Sequence, residues 1–325
     1  MLIKIKIKSL FNVYDYDIDL TNNDNTTVKF ITAPNGYGKT TILDFIDMAM
    51  RQSYDKMFLV PFGQFELFYD EAGSDVLYKY SVTREEEKST ASDTDIVQMI
   101  NKKLIIKLQR VDCKKETLIE QFSVVQKPDG FFITEGNMDN IQMFFVSRTC
   151  YYLTDQRMLI QKMDVADDIR RIEDHPITPY PKELKEILES SLKSHEYDTR
   201  INAFRDIINR CEFANKHLEI DKRFGFRFVS DDELHSILSL DQLSSGEKQM
   251  IIQVYELLFR AQSGTLVMID EPELSLHMMW QMNYLKNLSE IAKLRGFQCI
   301  VATHSPQIFN SLWSKSVDLF TLSNE

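Results

Sequence analysis

The chain has 325 residues, 43% of them hydrophobic and 27% charged, a composition that excludes collagen-like, disordered and disulfide-stapled miniature proteins. Its 38 basic and 49 acidic residues give a net charge of −11, which disfavours nucleic acid and anionic membranes as partners unless a local basic patch binds them. No apolar run approaches the roughly 18 residues of a membrane span, and the N-terminus lacks the apolar core of a secretion signal. We therefore expect a cytoplasmic protein with no membrane partner.

Strand patterns open the chain and lead into a helix. Isoleucine and lysine alternate along Met1–Lys8, and acidic residues alternate with less polar ones along Asp15–Leu20, as expected of half-buried strands. The next predicted strand, Val28–Thr32, runs into a loop of small residues, and an apolar face recurs at helical spacing along Lys39–Arg51. The chain is therefore expected to begin with strands that lead through a loop into an amphipathic helix.

The rest of the chain divides into stretches of different pattern. Residues 58–145 are mostly strand-like, with a polar segment, Glu85–Asp95, that predicts a solvated loop. Helical patterns and prolines follow from Gln156 to about Ala214, and strand signals return at His217–Phe228. The last stretch predicts a helix that follows Leu243 and an apolar strand at 265–269. A second helix is predicted at 280–294 and a second apolar strand at 298–303.

The loop before the predicted helix reads Ala-Pro-Asn-Gly-Tyr-Gly-Lys-Thr-Thr from Ala33 to Thr41. Glycines let the backbone curl so that successive N–H groups face one anion, and the helix N-terminus adds partial positive charge. The general phosphate-loop pattern begins with glycine where this chain has Ala33, and a positive φ there would cost about 1 kcal/mol or more. A chance glycine turn is the alternative. The predicted nucleotide-binding residues are Asn35, Gly36, Tyr37, Gly38, Lys39, Thr40 and Thr41, with Lys39 also catalytic and Thr40 also a metal ligand.

A second motif is an apolar strand that ends in two adjacent carboxylates, Leu266-Val-Met-Ile-Asp-Glu271. In a buried parallel sheet, the carboxyl end of such a strand lies at the ligand crevice. We therefore predict that Asp270 holds Mg²⁺, directly or through water, and that Glu271 polarises an attacking water. The motif alone is a weak signal, and its pairing with the phosphate loop makes it a strong one.

With four further segments, the chain resembles ATP-binding-cassette ATPases of the SMC, RecF and OLD-like branch. Leu243-Ser-Ser-Gly-Glu247 is similar to the signature motif of that branch, and Glu271-Pro-Glu-Leu-Ser-Leu-His277 is similar to its extended Walker B motif and D-loop. Thr303-His-Ser-Pro306 resembles the switch-histidine motif, and Tyr151-Tyr-Leu-Thr-Asp-Gln-Arg157 resembles the strand that leads to the Q-loop. The motifs follow the family's order, although Met278 replaces the proline that commonly follows His277.

The resemblance implies that ATP and Mg²⁺ are the cofactors and that two subunits bind them in a head-to-tail dimer. Glu271 would be the general base, and His304 would contact the γ-phosphate, with a core histidine as the alternative for His304. Gln156 would contact the nucleotide and the metal, and Gln52 and Gln64 compete for that assignment. The signature residues of a second subunit would complete the site: Ser244, Ser245 and Gly246.

The resemblance also implies an α/β fold of the P-loop NTPase class, with a mixed β-sheet core, an antiparallel β-subdomain and a helical arm. We expect a single head over 1–325, with a P-loop and β-rich lobe at 1–155, a mostly helical arm with returning strands at 156–242, and a half that carries the signature, Walker B motif and switch histidine at 243–325. The segment 156–242 is too short and too proline-marked for the long coiled coil of SMC-like chains.

The expected function is a slow ATPase that acts as sensor or scaffold subunit for a separate effector, as in PARIS-like and Septu-like anti-phage pairs. The effector is expected to be separately encoded because the sequence stops shortly after His304. The alternatives are a RecF-like DNA-repair clamp, an ATP-gated scaffold with negligible turnover, and a transporter ATPase, which the signature fits less well.

Other conspicuous residues have simpler interpretations. The basic run 102–110, continued by Lys114 and Lys115, is expected to be the solvated face of a strand, with nucleic-acid contact as the less favoured alternative. His277 is expected to pack or to orient the D-loop rather than to bind a metal. The scattered cysteines are expected to be reduced thiols, since no Cys-x-x-Cys pair occurs; they are Cys113, Cys150, Cys211 and Cys299.

Overall fold

The computed structural model describes residues 1–21, 27–71, 76–88, 100–112, 115–127, 130–154, 177–190, 195–274, 276–310 and 312–323. The strands in this part of the chain are β1 (Leu2–Leu10), β2 (Tyr14–Asp19), β3 (Val28–Thr32), β4 (Gln64–Asp70), β5 (Val76–Lys88), β6 (Ile100–Asp112), β7 (Lys115–Lys127), β8 (Gly130–Gly136), β9 (Cys150–Leu153), β10 (Lys216–Asp221), β11 (Gly225–Ser230), β12 (Ile237–Leu238), β13 (Leu266–Asp270), β14 (Gln298–Thr303) and β15 (Ser316–Asp318).

The α-helices in the same residues are α1 (Lys39–Arg51), α2 (Asp139–Val146), α3 (Tyr180–Glu189), α4 (His195–Arg210), α5 (Ser245–Tyr255), α6 (Met278–Arg295) and α7 (Leu319–Leu322). Short 3₁₀ turns lie at Tyr54–Leu59, Leu240–Gln242 and Trp313–Lys315, and a π-helix at Glu256–Arg260 continues α5. Among these described helices, none has both the length and the apolar character needed to cross a membrane.

The chain divides into two compact units: a first unit of Met1–Cys150 and Ser314–Glu325, and a second unit of Tyr151–Trp313. In the first unit an antiparallel sheet runs in the order β2-β1-β4-β5-β6-β7-β8. The alternation along β1 explains its place in this sheet, because Ile5 and Ile7 are at most 1% exposed. Lys4, Lys6 and Lys8, which alternate with these isoleucines, lie on the opposite face of the strand.

Strand β3 and helix α1 of the first unit are joined by the loop that carries the phosphate-loop motif. Every residue of β3 is buried, and β3 pairs in parallel with β15, with Ile31 opposite Val317. Helix α1 begins and ends where the apolar periodicity predicts, and its predicted face is buried: Ile42, Phe45, Ile46 and Ala49. This connection brings the N-terminus of α1 to the carboxyl end of a buried strand.

The second unit contains a second parallel pair and a small antiparallel sheet. Strands β13 and β14 pair in parallel, with Met268 opposite Ile300, and β10, β11 and β12 form the antiparallel sheet. Glu256, at the start of the π-helix, is 1% exposed and accepts hydrogen bonds from Tyr180 Oη at 2.5 Å and from Tyr151 Oη. These bonds compensate the burial of a carboxylate, which is costly without partners.

The structure confirms the predicted α/β class, with parallel strand pairs, an antiparallel sheet, and helices α3 and α4 within the segment predicted to be a helical arm. The loop predicted at Glu85–Asp95 is wrong in its first part, because β5 continues to Lys88; residues 89–95 lie outside the described residues. Glu85 lies opposite Lys103 of β6 in the antiparallel register, and opposite charges favour such a pair. A charge run that looks like a loop in sequence therefore forms a strand.

Candidate functional site

The loop at the carboxyl end of β3 turns through two glycines in the left-handed region. Gly36 has a φ of 90° and Gly38 a φ of 84°, which residues with a Cβ adopt only with strain. The backbone at Gly38 also packs closely against Leu10, because a Cβ at Gly38 would lie 2.7 Å from Cδ2 of this fully buried side chain. Ala33 is not among the residues with positive φ, so the alanine that begins the motif carries no such strain.

Lys39, the first residue of α1, turns its side chain back over this loop. Its Nζ donates to the carbonyl oxygens of Ala33 at 2.9 Å and Pro34 at 3.3 Å, and the residue is 5% exposed. Both acceptors are neutral, so these bonds solvate the ammonium group without cancelling its charge. A cation held against a loop whose Asn35 and Gly36 are exposed is suited to an anionic ligand.

The first turn of α1 adds backbone donors to the same loop. The first helical hydrogen bond runs from Ile42 N to Gly38 O at 2.8 Å, so the N–H groups of Lys39, Thr40 and Thr41 precede the helical ladder. Thr40 is exposed and Thr41 is half-buried. Amides at a helix N-terminus, together with the helix dipole, favour binding of phosphate.

Two tyrosines of β2 contact this loop. Tyr16 of β2 donates from Oη to the carbonyl oxygen of Tyr37 at 2.9 Å, and the ring centroids of Tyr14 and Tyr37 lie 5.3 Å apart. Burial raises the pKa of Tyr16, and Tyr14 and Tyr37 raise it further, so the Tyr16 hydroxyl stays protonated as a donor. Sequence reasoning missed Tyr16; the alternation of β2, which turns Tyr16 and Ile18 to the buried side, was the available signal.

In the second unit, a sharp turn separates the two carboxylates that end β13. Asp270 is 8% exposed, whereas the Glu271 side chain is 29% exposed. Glu271 has a φ of 45°, a left-handed conformation that costs a non-glycine residue about 1–2 kcal/mol, and its N–H donates to Ala302 O at 2.9 Å. Strain of this kind at the end of a buried strand is typical of functional sites.

The turn after Glu271 brings a third carboxylate, Glu273, to the switch-histidine motif. Glu273 Oε1 accepts from Thr303 Oγ1 at 2.6 Å and from His304 N at 2.9 Å, and lies 3.1 Å from His304 Nδ1. Glu271 Oε1 lies 3.9 Å from the same nitrogen. The structure thus brings Glu271 and His304 near each other and adds Glu273, which sequence reasoning missed as a site residue.

The signature motif forms the N-terminus of α5, where Ser244 is the N-cap. Ser244 Oγ accepts from Glu247 N at 3.3 Å, and Glu247 Oε2 accepts from Ser244 N at 2.7 Å, which is a capping box. Glu247 Oε1 lies 2.9 Å from Nζ of Lys216, with side chains 7% and 14% exposed. Sequence reasoning missed Lys216, since only the tertiary fold brings β10 to α5.

The predicted signature residues differ in exposure: Ser244 and Ser245 are exposed, and Gly246 is buried. The cap uses the oxygen of Ser244 as an acceptor, so the hydroxyl proton can still be donated to a ligand. His277 caps α6, with Nδ1 accepting from Met279 N at 3.3 Å. This contact agrees with the expectation that His277 orients its loop.

The glutamine predicted to contact the metal, Gln156, lies outside the described residues, as does Cys113. Of the competing positions, Gln52 is the C-cap of α1, and a helix of 13 residues places it about 20 Å from the phosphate loop. Gln64 donates to Glu66 Oε1 at 2.9 Å, on β4. Gln52 is therefore excluded from contact with a nucleotide at the loop.

The basic run on β6 has two of its charges paired. Lys103 lies 3.3 Å from Glu135, and Arg110 lies 3.1 Å from Asp112. Neutralised side chains release few counterions from a phosphate backbone, so they contribute little to nucleic-acid affinity. These pairs favour the solvated-face interpretation of the run.

The family described as "AAA domain, putative AbiEii toxin, Type IV TA system" matches residues 155–310. This stretch contains the signature motif, the carboxylates after β13, and His304, and it begins after the phosphate loop. Over these residues the chain is similar to AAA-family ATPase domains.

A curated relative, "Retron Ec83 probable ATPase" of Escherichia coli, is 34% identical over 97 residues. The match covers 26% of this chain and 18% of the relative, so the chain spans less than a fifth of that protein. Among solved structures, an SMC head bound to the C-winged helix domain of ScpA is 12% identical, with a TM-score of 0.48 and coverage of 94% of this chain and 90% of that one. The SMC head domain from Thermotoga maritima is 14% identical, with a TM-score of 0.42 and coverage of 95% and 91%.

Replacing the loop glycines tests the geometry of the phosphate loop. Gly36→Ala adds only the strain of a positive φ, about 1 kcal/mol, because no atom lies within 4 Å of its added Cβ. Gly38→Ala adds the same strain and a clash with Leu10, so we expect a larger loss, about 2 kcal/mol or more. Urea unfolding without nucleotide measures both free energies. Equal losses for the two variants would contradict the close approach at Gly38.

The paired charges on β6 predict weak binding of duplex DNA by the isolated protein. We expect a Kd of about 1 µM or weaker at physiological salt, within the range of non-specific binding. Fluorescence anisotropy over a salt series measures it. Tighter, strongly salt-dependent binding that is lost on changing Lys102, Lys103 and Lys107 to Glu would instead locate a DNA site on the basic run.

Proposed function

We propose that the chain binds ATP with Mg²⁺ and hydrolyses it slowly. The observation that carries this proposal is the loop Ala33–Gly38, where left-handed glycines, a helix N-terminus and the buried Lys39 ammonium converge. Backbone amides and a cation directed at one small volume match the charge and shape of a polyphosphate. The similarity of residues 155–310 to AAA-family ATPase domains supports the same activity.

The residues also fit a magnesium ion, which prefers oxygen ligands and retains several waters. The Thr40 hydroxyl is exposed on the first turn of α1, and the Asp270 carboxylate ends β13. We assign the ion to these two groups together with Gln156. When bound, Mg²⁺ neutralises charge on the phosphates.

Hydrolysis requires a base for the attacking water and a group that contacts the γ-phosphate. The water oxygen bonds to the γ-phosphorus, the bond from that phosphorus to the bridging oxygen breaks, and the proton passes to Glu271. We assign the γ-phosphate contact to His304 and the β- and γ-phosphate charge to Lys39. The 3.9 Å separation of Glu271 Oε1 and His304 Nδ1 supports joint action of base and histidine.

We further propose that a second copy of the chain completes the site in a head-to-tail dimer. Ser244, Ser245 and Gly246 of that copy would contact the γ-phosphate. Ser244 and Ser245 are exposed at a helix N-terminus, which supports this assignment. The N-cap hydrogen bond uses the oxygen of Ser244 and leaves its hydroxyl proton available to a ligand. Phosphate binding is assigned to 1–155, a helical arm to 156–242, and hydrolysis and dimer contacts to 243–325.

The biological role that we propose is control of a separately encoded effector, in an anti-phage system of the PARIS-like or Septu-like kind. The similarity to an ATPase of a retron and to a family whose description names a toxin supports this role. The RecF-like clamp has less support, since Lys103 and Arg110 of the basic run are ion-paired.

Lys39→Ala and Glu271→Gln are expected to fail at different steps. Lys39 interacts with ground-state phosphate charge, so its loss should weaken ATP binding about 10-fold or more. Glu271 acts on the water, so the isosteric glutamine should spare binding and slow hydrolysis about 10²-fold or more. Fluorescent-nucleotide titration and phosphate release measure the two effects.

The same two variants test whether ATP controls assembly. Glu271→Gln retains ATP and should accumulate as a dimer or larger assembly in size-exclusion chromatography with ATP and Mg²⁺, whereas Lys39→Ala should not shift. Equal assembly by both variants would show that nucleotide is not the gate and would favour a constitutive scaffold.

A site completed by a second copy predicts that specific ATPase activity rises with protein concentration in the dilute range. Ser244→Arg should leave ATP binding nearly intact and abolish turnover, because it changes only the contact made to the partner's nucleotide. Steady-state phosphate release across a dilution series measures both. Full activity from a strictly monomeric sample at saturating ATP would contradict the dimer.

A further inference from the structure

Glu273 is a buried carboxylate, and the hydrogen bonds that it accepts from the described residues come from Thr303 and His304 at the end of β14. Its side chain is 4% exposed, and burial of a charge at this depth is unfavourable unless hydrogen bonds compensate it. Oε1 receives the Thr303 hydroxyl at 2.6 Å and the His304 backbone N–H at 2.9 Å, and lies 3.1 Å from His304 Nδ1. One oxygen atom therefore binds the backbone of His304 by a hydrogen bond and lies within ion-pair distance of its ring.

This contact favours one ring nitrogen of His304 as the one offered to a ligand. A carboxylate oxygen 3.1 Å from Nδ1 attracts positive charge and can only accept hydrogen bonds, so it favours the ring form that carries a proton on Nδ1. Nε2, at the opposite edge of the ring, is then the nitrogen that can face a phosphate. A histidine without this partner could rotate and exchange the two nitrogens.

Two further side chains tie the same loops together. Ser305 Oγ donates to Gln281 Oε1 at 2.9 Å, and Gln281 Nε2 donates to Leu276 O at 3.1 Å. Ser305 N donates to Thr303 Oγ1 at 3.0 Å. The turn after β13 and the turn after β14 are thus joined through Glu273 at one point and through Gln281 at another.

Glu271 is not equivalent to Glu273 in this arrangement. Its oxygen lies 3.9 Å from His304 Nδ1, beyond hydrogen-bond distance, and its side chain is 29% exposed. One glutamate is therefore engaged with the imidazole and buried, and the other is accessible to water.

We propose that Glu273 is a positioning residue that holds the His304 imidazole through Nδ1, so that Nε2 meets the γ-phosphate while Glu271 remains free to act on water. This inference rests on the proposed ATPase function. It adds a role for the second glutamate of the Glu-Pro-Glu sequence, and it predicts that the charge of Glu273 matters more to turnover than to ATP binding.

The test compares Glu273→Gln with the wild type in two independent measurements. The first is ¹⁵N NMR of the histidine rings, in which a His304→Asn spectrum assigns the His304 signals among the 6 histidines. We expect a protonated Nδ1 in the wild type and shifted His304 nitrogen signals in Glu273→Gln. The second is steady-state kinetics, in which we expect kcat to fall roughly 10- to 100-fold, less than the loss of a general base, with KM nearly unchanged.

Glu219→Gln is the matched control, because Glu219 also lies near a histidine, 3.8 Å from Nε2 of His217, with both side chains about 40% exposed. It should change neither the His304 signals nor kcat. If Glu273→Gln does not fold, Glu273→Asp, which keeps the charge but withdraws it from Nδ1 by one methylene, should show losses of the same kind and smaller size. Unchanged His304 signals, or a wild-type kcat, in the folded variant would overturn the proposal.

The two measurements also separate this inference from the function on which it rests. If the wild type shows no ATP hydrolysis that Lys39→Ala abolishes, the proposed function fails, and the NMR spectra still report the contact between Glu273 and His304. If hydrolysis is present and Glu273→Gln hydrolyses ATP as the wild type does, the positioning role alone fails.

Discussion

A polyphosphate binds strongly only where several backbone N–H groups and a cation point into the same small volume, and a regular strand or helix cannot provide that arrangement. In this chain the backbone between β3 and α1 enters the left-handed region at Gly36 and Gly38, next to Lys39, and the proposed ATP site depends on this conformation. The surrounding elements maintain this conformation. Leu10 fills the space behind Gly38, and Tyr16 holds the carbonyl of Tyr37.

Two buried glutamates of the second unit have charged or hydrogen-bonding partners from a distant part of the sequence. Glu273 is bound by Thr303 and His304, and Glu247 is paired with Lys216. An unpaired buried carboxylate would cost several kcal/mol, so a packing that separated these partners would be disfavoured. The charges that determine the packing are also next to the groups assigned to ATP chemistry.

Much of the fold could be predicted from the sequence because local patterns determine it. The apolar face of Lys39–Arg51 gave both ends of α1, and the continuous apolar run before Asp270 gave β13. The strand β5 was cut short in the prediction, since a run of charges near Glu85 resembles a loop until the lysines of β6 are placed opposite. The alternation and periodicity of apolar residues indicate which side chains are buried. They do not indicate which strand pairs with which.

The candidate site could be predicted only in part, for the same reason. Lys39, Asp270 and Glu271 lie within contiguous motifs, so their chemistry can be recognised from the sequence alone. Glu273 lies within the extended Walker B motif, but its role depends on partners 30 residues away along the chain. Lys216 likewise acts through a distant partner, and no local motif marks it. The left-handed φ of Glu271 was also beyond prediction, since a glutamate gives no signal for such a conformation.

The first unit is discontinuous in sequence, and this affects the order in which the protein can form. Thr32 of β3 and Val317 of β15 are neighbours in the parallel pair although they are 285 positions apart. A ribosome releases β15 only after every residue of the second unit has been made, so the second unit can collapse while β3 still lacks this neighbour. Contacts at such separation also form slowly, because a long loop must close first. The pairing of the strand that leads into the phosphate loop is therefore completed only after residues 151–313 have been made.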